Sequence, residues 1–251
     1  IFRLKEYRDP PMRGRQSGNP LNKLGFAIAR ERSGGIQITE LGNRLLAGDY
    51  DISSVFFKSL LKLQFPNPWS ADFSEQQGFN ITPFVATLHL LCRLNRHSSL
   101  SGLNKMEFGI FIPTLIDSRQ IDQQIENIID FRKTENKEAY IRDFACQFYQ
   151  VTHVPQKAIN NLFDYGDNTI RYFRLTKYFK VIADPTGTHW HVDLEPSRTV
   201  EIEQLIGAYD GKAIEFPDLT AYLNYLSDIT KPELPWENVI KLKGVATSWR
   251  E

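Results

Sequence analysis

Hydrophobic and polar residues follow two patterns along the chain, the spacing of amphipathic helices and short β-prone runs. Two such runs, residues 25–30 and 36–38, flank Ser33-Gly34-Gly35, and this pattern predicts a short hairpin. Thr39 follows as the predicted N-cap of an amphipathic helix over 40–46. Residues 5–22 are rich in Pro, Gly and basic side chains, which predicts a loop or arm.

Helical spacing dominates the middle of the chain. It predicts helices over residues 54–65, 82–94, 104–115 and 117–131. Asn104, with Glu107 three residues later, is a variant of the capping box. Two helices joined by a short glycine-containing turn are typical of a helix-turn-helix, although any helical hairpin has the same pattern. Asn104 and Lys105, at the start of the second of these helices, are therefore candidate DNA contacts.

The second half of the chain follows the element order of a winged-helix unit. We predict helices over 138–150 and 155–163, a third helix that begins near Asp167, β-prone segments 180–183 and 188–194 around a turn, and a helix around 200–206. The first hairpin and its helix are typical of another such unit, whose first helices would lie partly upstream of Ile1. The expected fold is α+β and mostly helical, with tandem winged-helix and helix-turn-helix units that carry short β-hairpin wings.

The expected domain organisation has three parts. Residues 1–132 form an N-terminal recognition subdomain, with a truncated winged-helix unit and helix-turn-helix-like helices, and 133–230 form the second winged-helix subdomain. Residues 231–251 are the start of a linker. Because the chain begins at Ile1 rather than Met and ends within an unfinished segment, we expect a fragment of a longer protein.

The composition is that of an ordinary globular protein, with 41% hydrophobic and 24% charged residues and no signal-peptide pattern or apolar run long enough to span a membrane. We expect a cytoplasmic protein with no membrane partner, in which Cys92 and Cys146 are free thiols. The net charge of zero argues mildly against nucleic acid. However, residues 1–44 carry nine basic against four acidic side chains. Arg13, Arg15 and Lys23 in the predicted arm are therefore candidate phosphate contacts.

One face of the predicted third helix is cationic, because Arg171, Arg174 and Lys177 fall within an arc of about 120°. A recognition helix lies in the major groove, where Arg can bind guanine and Asn adenine. We expect DNA contacts from residues at the start of this helix and from one farther along it: Asn168, Thr169, Arg171, Arg174 and Lys177. The alternative is a solvated basic face in which Asp167 bonds Arg171.

Four stretches resemble the recognition region of the AlwI family of type IIS restriction endonucleases, which includes nicking enzymes. They are residues 38–46, 56–66, 81–85 and 169–176, and the similarity is in register across most of 20–210. The resemblance implies sequence-specific recognition of double-stranded DNA at a short asymmetric site. It also implies cleavage by a C-terminal nuclease domain that holds Mg²⁺ on carboxylates, and is compatible with a second nuclease subunit as a partner.

No convincing catalytic set is found in the sequence. Asp184-Pro185 followed by Asp210-Gly211-Lys212 imitates the nuclease pattern, but Gly211 lies in a predicted turn. His189 and His191 share a strand face without a predicted third ligand. We therefore expect no catalytic and no metal-binding residues here, and Mg²⁺ only in the absent nuclease domain. The alternatives are a non-catalytic winged-helix DNA-binding protein or transcriptional regulator and, third, a helical protein-interaction domain.

Overall fold

The computed structural model describes residues 10–30, 35–49, 51–68, 73–97, 100–186 and 188–237. The expected fold class is confirmed, because the described chain is mostly helical with small antiparallel sheets. Its α-helices are α1 (Pro10–Lys23), α2 (Glu40–Ala47), α3 (Ile52–Lys62), α4 (Pro83–His97), α5 (Lys105–Phe111), α6 (Ile121–Lys133), α7 (Lys137–Tyr149), α8 (Gln156–Phe173), α9 (Thr199–Ala208) and α10 (Leu219–Ser227). Its strands are β1 (Ala27–Arg30), β2 (Gly35–Ile38), β3 (Leu103–Asn104), β4 (Phe179–Ala183) and β5 (Trp190–Leu194). None of the described helices is long and apolar enough for a membrane span.

The first hairpin and its capped helix are confirmed. Strand β1 pairs antiparallel with β2, from Ala27 opposite Ile38 to Arg30 opposite Gly35. Of the predicted turn, Ser33 and Gly34 lie outside the described part, and Gly35 is the first residue of β2. Thr39 caps α2, because its hydroxyl oxygen accepts a hydrogen bond from the Gly42 amide at 3.1 Å. Local signals therefore sufficed for this part of the chain.

The predicted loop over residues 5–22 is wrong where the structure describes it, because residues 10–23 form α1. Pro10 and Pro11 stand in the first turn, where a missing amide hydrogen costs no intrahelical bond. The helix packs against β1, and Leu24 and Phe26 at its end are buried. Tertiary packing therefore overrides a composition typical of a loop.

The hydrophobic core is one continuous cluster centred on α4. Leu88, Leu90, Leu91 and Leu94 of this helix are fully buried, so α4 is enclosed on nearly all sides. Residues from both halves of the chain contribute to the same cluster, and Phe84 of α4 packs edge-on against Phe173 and Phe179.

A three-stranded sheet joins distant parts of the sequence. Strand β5 lies in the centre, antiparallel to β4 on one side and to β3 on the other. Leu103 pairs with Val192, which is fully buried. Strand β3 precedes residue 132, whereas β4 and β5 follow it. The two predicted subdomains, 1–132 and 133–230, therefore contribute strands to the same sheet. The domain division itself stays a prediction.

The predicted third helix beginning near Asp167 is wrong. A single helix of 18 residues, α8, replaces the two helices expected over 155–163 and from 167 onwards. In the sequence, Gly166 lies between the two predicted helices. In the structure it lies where α8 crosses α5, and a Cβ there would be 2.7 Å from the Cα of Gly109. The glycine therefore permits close helix packing instead of ending a helix.

Two buried lysines of α3 hold the C-terminal part of the described chain. The Lys62 ammonium donates to the carbonyl oxygens of Leu226 at 2.6 Å and Asp228 at 2.7 Å. One turn earlier, Lys58 donates to the carbonyl of Pro232 at 3.0 Å and to the carboxylate of Glu237 at 3.0 Å. These bonds hold residues 226–237 against α3.

Candidate nucleic-acid interface

Helix α8 presents a long polar face to solvent. Its opposite face is buried through Ile159, Leu162, Gly166, Ile170 and Phe173, which fixes the helix on the core. The exposed side chains recur at helical spacing: Gln156, Lys157, Asn160, Asn161, Asp164, Tyr165, Asn168 and Arg171. The surface therefore combines amide, carboxylate and cationic groups on a rigid element.

Two of the four amides on this face are not used by the described part of the protein itself. The Gln156 amide donates to the Asn160 side-chain oxygen at 3.0 Å. Within the described residues, the side chains of Asn161 and Asn168 have no hydrogen-bond partner. Their donors and acceptors therefore remain available to a ligand.

The predicted cationic residues lie at the end of α8 and not at its start. Arg171 is in the last turn, Arg174 is in a 3₁₀ turn (Arg174–Thr176), and Lys177 caps that turn in the left-handed conformation with φ 61°. All three are exposed. Thr169, in contrast, is only half exposed and lies beside the buried face.

Arg171 forms the ion pair expected if this surface is only a solvated basic face. Its guanidinium donates to the Asp167 carboxylate at 2.5 Å, and its side chain is still 65% exposed. This pair leaves most of the guanidinium in contact with solvent. Lys177 lies near Asp51, whose pKa is lowered mainly by hydrogen bonds from Ser54 and also by this positive charge.

The start of α5 is tied to the tip of the β4–β5 hairpin. Lys105 is exposed, and its ammonium donates to the carbonyl of Thr188 at 3.1 Å. Asn104 acts as the predicted N-cap, because its side-chain oxygen accepts from the amides of Met106 and Glu107. The capping box is complete, since Glu107 in turn accepts from the Asn104 amide at 3.0 Å.

The three basic residues of the predicted arm belong to α1. The side chains of Arg13 and Arg15 lie outside the described part of the structure. Lys23 is half-buried, with its ammonium 5.8 Å from the ring centre of Phe65 and 6.0 Å from that of Phe73. Burial lowers the pKa of Lys23.

An ion pair that the sequence analysis missed supports this surface from below. Arg132, near the end of α6, donates to the Glu107 carboxylate at 2.9 Å and to the carbonyl of Gly102 at 2.6 Å. Both side chains are nearly buried. Because Glu107 also holds the N-terminus of α5, Arg132 fixes β3 and α5 together. The sequence indicated Glu107 as part of the capping box, but no local pattern indicated that Arg132, 25 residues later, is its partner.

The carboxylates that imitate a nuclease site do not fit Mg²⁺. Asp184 accepts from the Thr186 hydroxyl at 2.9 Å and the His189 amide at 3.2 Å, whereas Asp210 pairs with Lys212 at 3.0 Å in a different loop. Gly211 has φ 81°, as a turn requires. In the part of the chain that the structure describes, no three His, Cys, Asp or Glu side chains are grouped for a metal ion, and His189 and His191 have no third ligand.

Comparisons with known proteins identify a family and a similar fold. The model of the AlwI restriction endonuclease family matches residues 22–248. Among solved structures, the fold is similar to one described as pyrene- and phenanthrene-modified DNA in complex with the BpuJ1 endonuclease binding domain. The TM-score is 0.60 at 14% identity, and the similarity covers 91% of this chain and 81% of that chain. None of the curated proteins compared matches the chain.

Proposed function

The chain belongs to the AlwI restriction endonuclease family, and we propose that it carries the sequence-specific recognition of double-stranded DNA for a type IIS restriction enzyme that reads a short asymmetric site. The similar fold of the BpuJ1 endonuclease binding domain, solved with modified DNA, supports this proposal. Family membership also favours a restriction enzyme over a transcriptional regulator. The enzyme acts on DNA in the cytoplasm.

The observation that carries the proposal is the topology around α8. The order α4, β3, α5, then α8, β4, β5, with sheet order β3-β5-β4, supports the assignment of these elements to a winged helix, in which α6 and α7 would be inserted between the second and third helices. This unit crosses residue 132, so its first strand and first two helices come from the part of the chain that the sequence analysis assigned to the N-terminal subdomain. Helix α8 is its third helix, the element that enters the major groove in helix-turn-helix proteins.

From this arrangement we propose a role on the DNA for each predicted contact. Helix α8 with Asn168, Thr169 and Arg171 lies at the groove, and Arg174 and Lys177 follow at its end. The β4–β5 hairpin is the wing, and Lys105 beside its tip approaches the neighbouring backbone, as does the capping residue Asn104. Arg13, Arg15 and Lys23 of α1 contribute phosphate contacts from the unit formed by α1, β1, β2 and α2.

Cleavage belongs, in this proposal, to a Mg²⁺-dependent nuclease domain outside these 251 residues, acting alone or with a second nuclease subunit. The mechanism proposed for this chain itself is recognition. Its residues bind phosphates, orient α8 and contact base edges.

Fluorescence anisotropy with a random-sequence duplex tests the binding proposal. We expect binding at low salt that weakens steeply as salt rises, because bound cations release counterions from the DNA. Selection from a randomised duplex library should then enrich one short asymmetric consensus. No duplex should be cut when Mg²⁺ is added.

A triple variant and a matched control test whether the cationic end of α8 is the DNA-binding surface. Replacing Arg171, Arg174 and Lys177 together with Ala should abolish binding at intermediate salt, whereas Lys212→Ala, which removes an exposed lysine from the loop after α9, should not. A wild-type protein that binds no duplex at low salt would favour the helical protein-interaction domain. Mg²⁺-dependent cleavage would show that a catalytic site is present.

A further inference from the structure

Four exposed residues of α8 form a stripe of groups suited to base edges. Gln156, Asn160, Asp164 and Asn168 are each separated by four residues, so they lie on one side of the helix within about 120° of arc. The stripe rises about 18 Å along the helix axis. It contains amides and a carboxylate but no cation.

The composition of this stripe opposes helix formation. Asn and Asp are weak helix formers in helix interiors, because their side chains compete for nearby backbone groups. Yet Asn160, Asp164 and Asn168 all lie inside α8, which is held in place by its buried apolar face. Local preferences that contradict the fold are expected where a residue serves a ligand.

The cations flank the stripe instead of belonging to it. Lys157 lies at the start of α8, and Arg174 and Lys177 lie beyond its end. Arg171 is in the last turn, with its guanidinium already bonded to Asp167. This distribution suits a helix whose ends meet phosphates while its middle faces the bases.

Resting on the proposed function, we propose that Asn160, Asp164 and Asn168 determine the base specificity of α8, and that Arg171, Arg174 and Lys177 bind phosphates. An Asn amide offers one donor and one acceptor that match the adenine edge in the major groove, and a carboxylate accepts from the cytosine amino group. The recognised site therefore contains A·T pairs under Asn160 and Asn168, with a C·G pair between them under Asp164.

A carboxylate in the groove also acts against wrong sequences. Asp164 has no donor of its own when ionised, so it cannot satisfy the acceptor atoms of guanine. Facing any base pair that lacks a suitable amino group, it would be desolvated without a partner. Specificity at this position would therefore come from exclusion as much as from attraction.

Selection of binding sites by the full chain and its variants tests this assignment. Asp164→Asn should change one consensus position from C to A, and Asn168→Asp should change one from A to C. Asn160→Ala, Asp164→Ala and Asn168→Ala should each weaken the selected duplex about tenfold to a hundredfold and a random duplex less than twofold. Gln204→Ala, which removes an exposed amide from α9, is the matched control and should change neither.

The phosphate assignment predicts the opposite behaviour. Arg171→Ala and Arg174→Ala should leave the consensus unchanged and weaken selected and random duplexes by the same factor. Circular dichroism and thermal unfolding confirm that each variant is folded.

Failure of the inference is distinguishable from failure of the proposed function. If the wild type binds no duplex, or binds without enriching a consensus, specific recognition itself is contradicted. A second result would contradict only this assignment. In it, the wild type yields a consensus, but Asp164→Asn and Asn168→Asp keep that consensus or Arg171→Ala changes it, so the stripe does not read the bases.

Discussion

Helices α3 and α8 both carry polar side chains spaced four residues apart, but those of α3 bond to a distant part of the chain, whereas in α8 Gln156 bonds only to its neighbour Asn160. Lys58 and Lys62 of α3 are 8% and 1% exposed, and their ammonium groups donate to backbone carbonyls of residues 226–232. Asn168 of α8 is exposed, and its side chain has no hydrogen-bond partner within the described residues. The same spacing therefore serves a contact within the protein in one helix and a candidate DNA contact in the other.

The difference arises from what covers each helix. A segment that begins with α10 and lies more than 160 residues away in sequence supplies the acceptors for Lys62. Among the residues that the structure describes, no comparable segment covers the polar face of α8. A charged or amide side chain is consequently a candidate for ligand binding only if its donors and acceptors remain unsatisfied after folding.

The largest expected effect comes from removing the buried ammonium of α3. Lys62→Ala leaves a cavity and two buried carbonyls without their donor, so we expect the free energy of unfolding to fall by about 3 kcal/mol. Urea denaturation measures this loss. Lys133→Ala removes an exposed lysine paired with Asp130 and should change stability by less than about 0.5 kcal/mol. Equal unfolding midpoints for the two variants would mean that the hydrogen bonds from Lys62 to residues 226–228 do not stabilise the fold.

The buried state of Lys62 also predicts a pH dependence. Burial lowers the pKa of Lys62 to about 7, from 10.5. Between these values the unfolded chain binds the extra proton, so stability rises with pH, by at most about 1.4 kcal/mol per pH unit. The stability of the wild type relative to Lys62→Met should therefore increase from pH 7 to pH 9.

Denaturation of both proteins across this interval gives the measurement. Subtracting the Lys62→Met values removes the contributions of other groups, and the interval ends below the pKa of Tyr225, which burial raises to about 12. A stability difference that stays constant from pH 7 to pH 9 would show that Lys62 keeps its proton throughout.

Disturbing the packing between α5 and α8 should cost less stability than removing Lys62, but it should affect both stability and DNA binding. Gly166→Ala places a methyl group 2.7 Å from the Gly109 Cα, so α5 and α8 must separate. We expect a loss of about 1–3 kcal/mol in stability, together with weaker DNA binding.

Gly207→Ala in α9 is the matched control for this substitution. A Cβ at that position has nothing within 4 Å, and Ala favours a helix more than Gly, so stability should stay equal or rise by up to about 1 kcal/mol. If Gly166→Ala behaved like Gly207→Ala, close contact at this crossing would not be required.

Sequence signals identified the elements that local interactions determine. Thr39 as N-cap, the Asn104–Glu107 capping box and both hairpins were predicted because each involves residues close in sequence. The type of fold followed from the same signals.

What escaped prediction depends on distant partners. Helix α1 packs on β1, β3 is only two residues long and pairs with β5, and Gly166 inside α8 lies against Gly109 of α5. The candidate site was affected directly. Because α8 is one helix, Arg171 moved from the expected start of a recognition helix to its end, and the amide stripe of its middle was overlooked.

The smallest expected effect concerns the ion pair between Asp167 and Arg171, and it separates the two roles proposed for α8. Such an exposed pair contributes little to stability, so Asp167→Asn should leave the unfolding midpoint nearly unchanged. It removes a negative charge that competes with phosphate for Arg171. Affinity for selected and random duplexes should consequently rise by the same factor, about twofold to fivefold, with a steeper salt dependence. Anisotropy titrations at several salt concentrations provide the comparison. If only the selected duplex gained affinity, the freed Arg171 would be contacting a base, and the division between an amide stripe that reads and a cationic end that anchors would have to be abandoned.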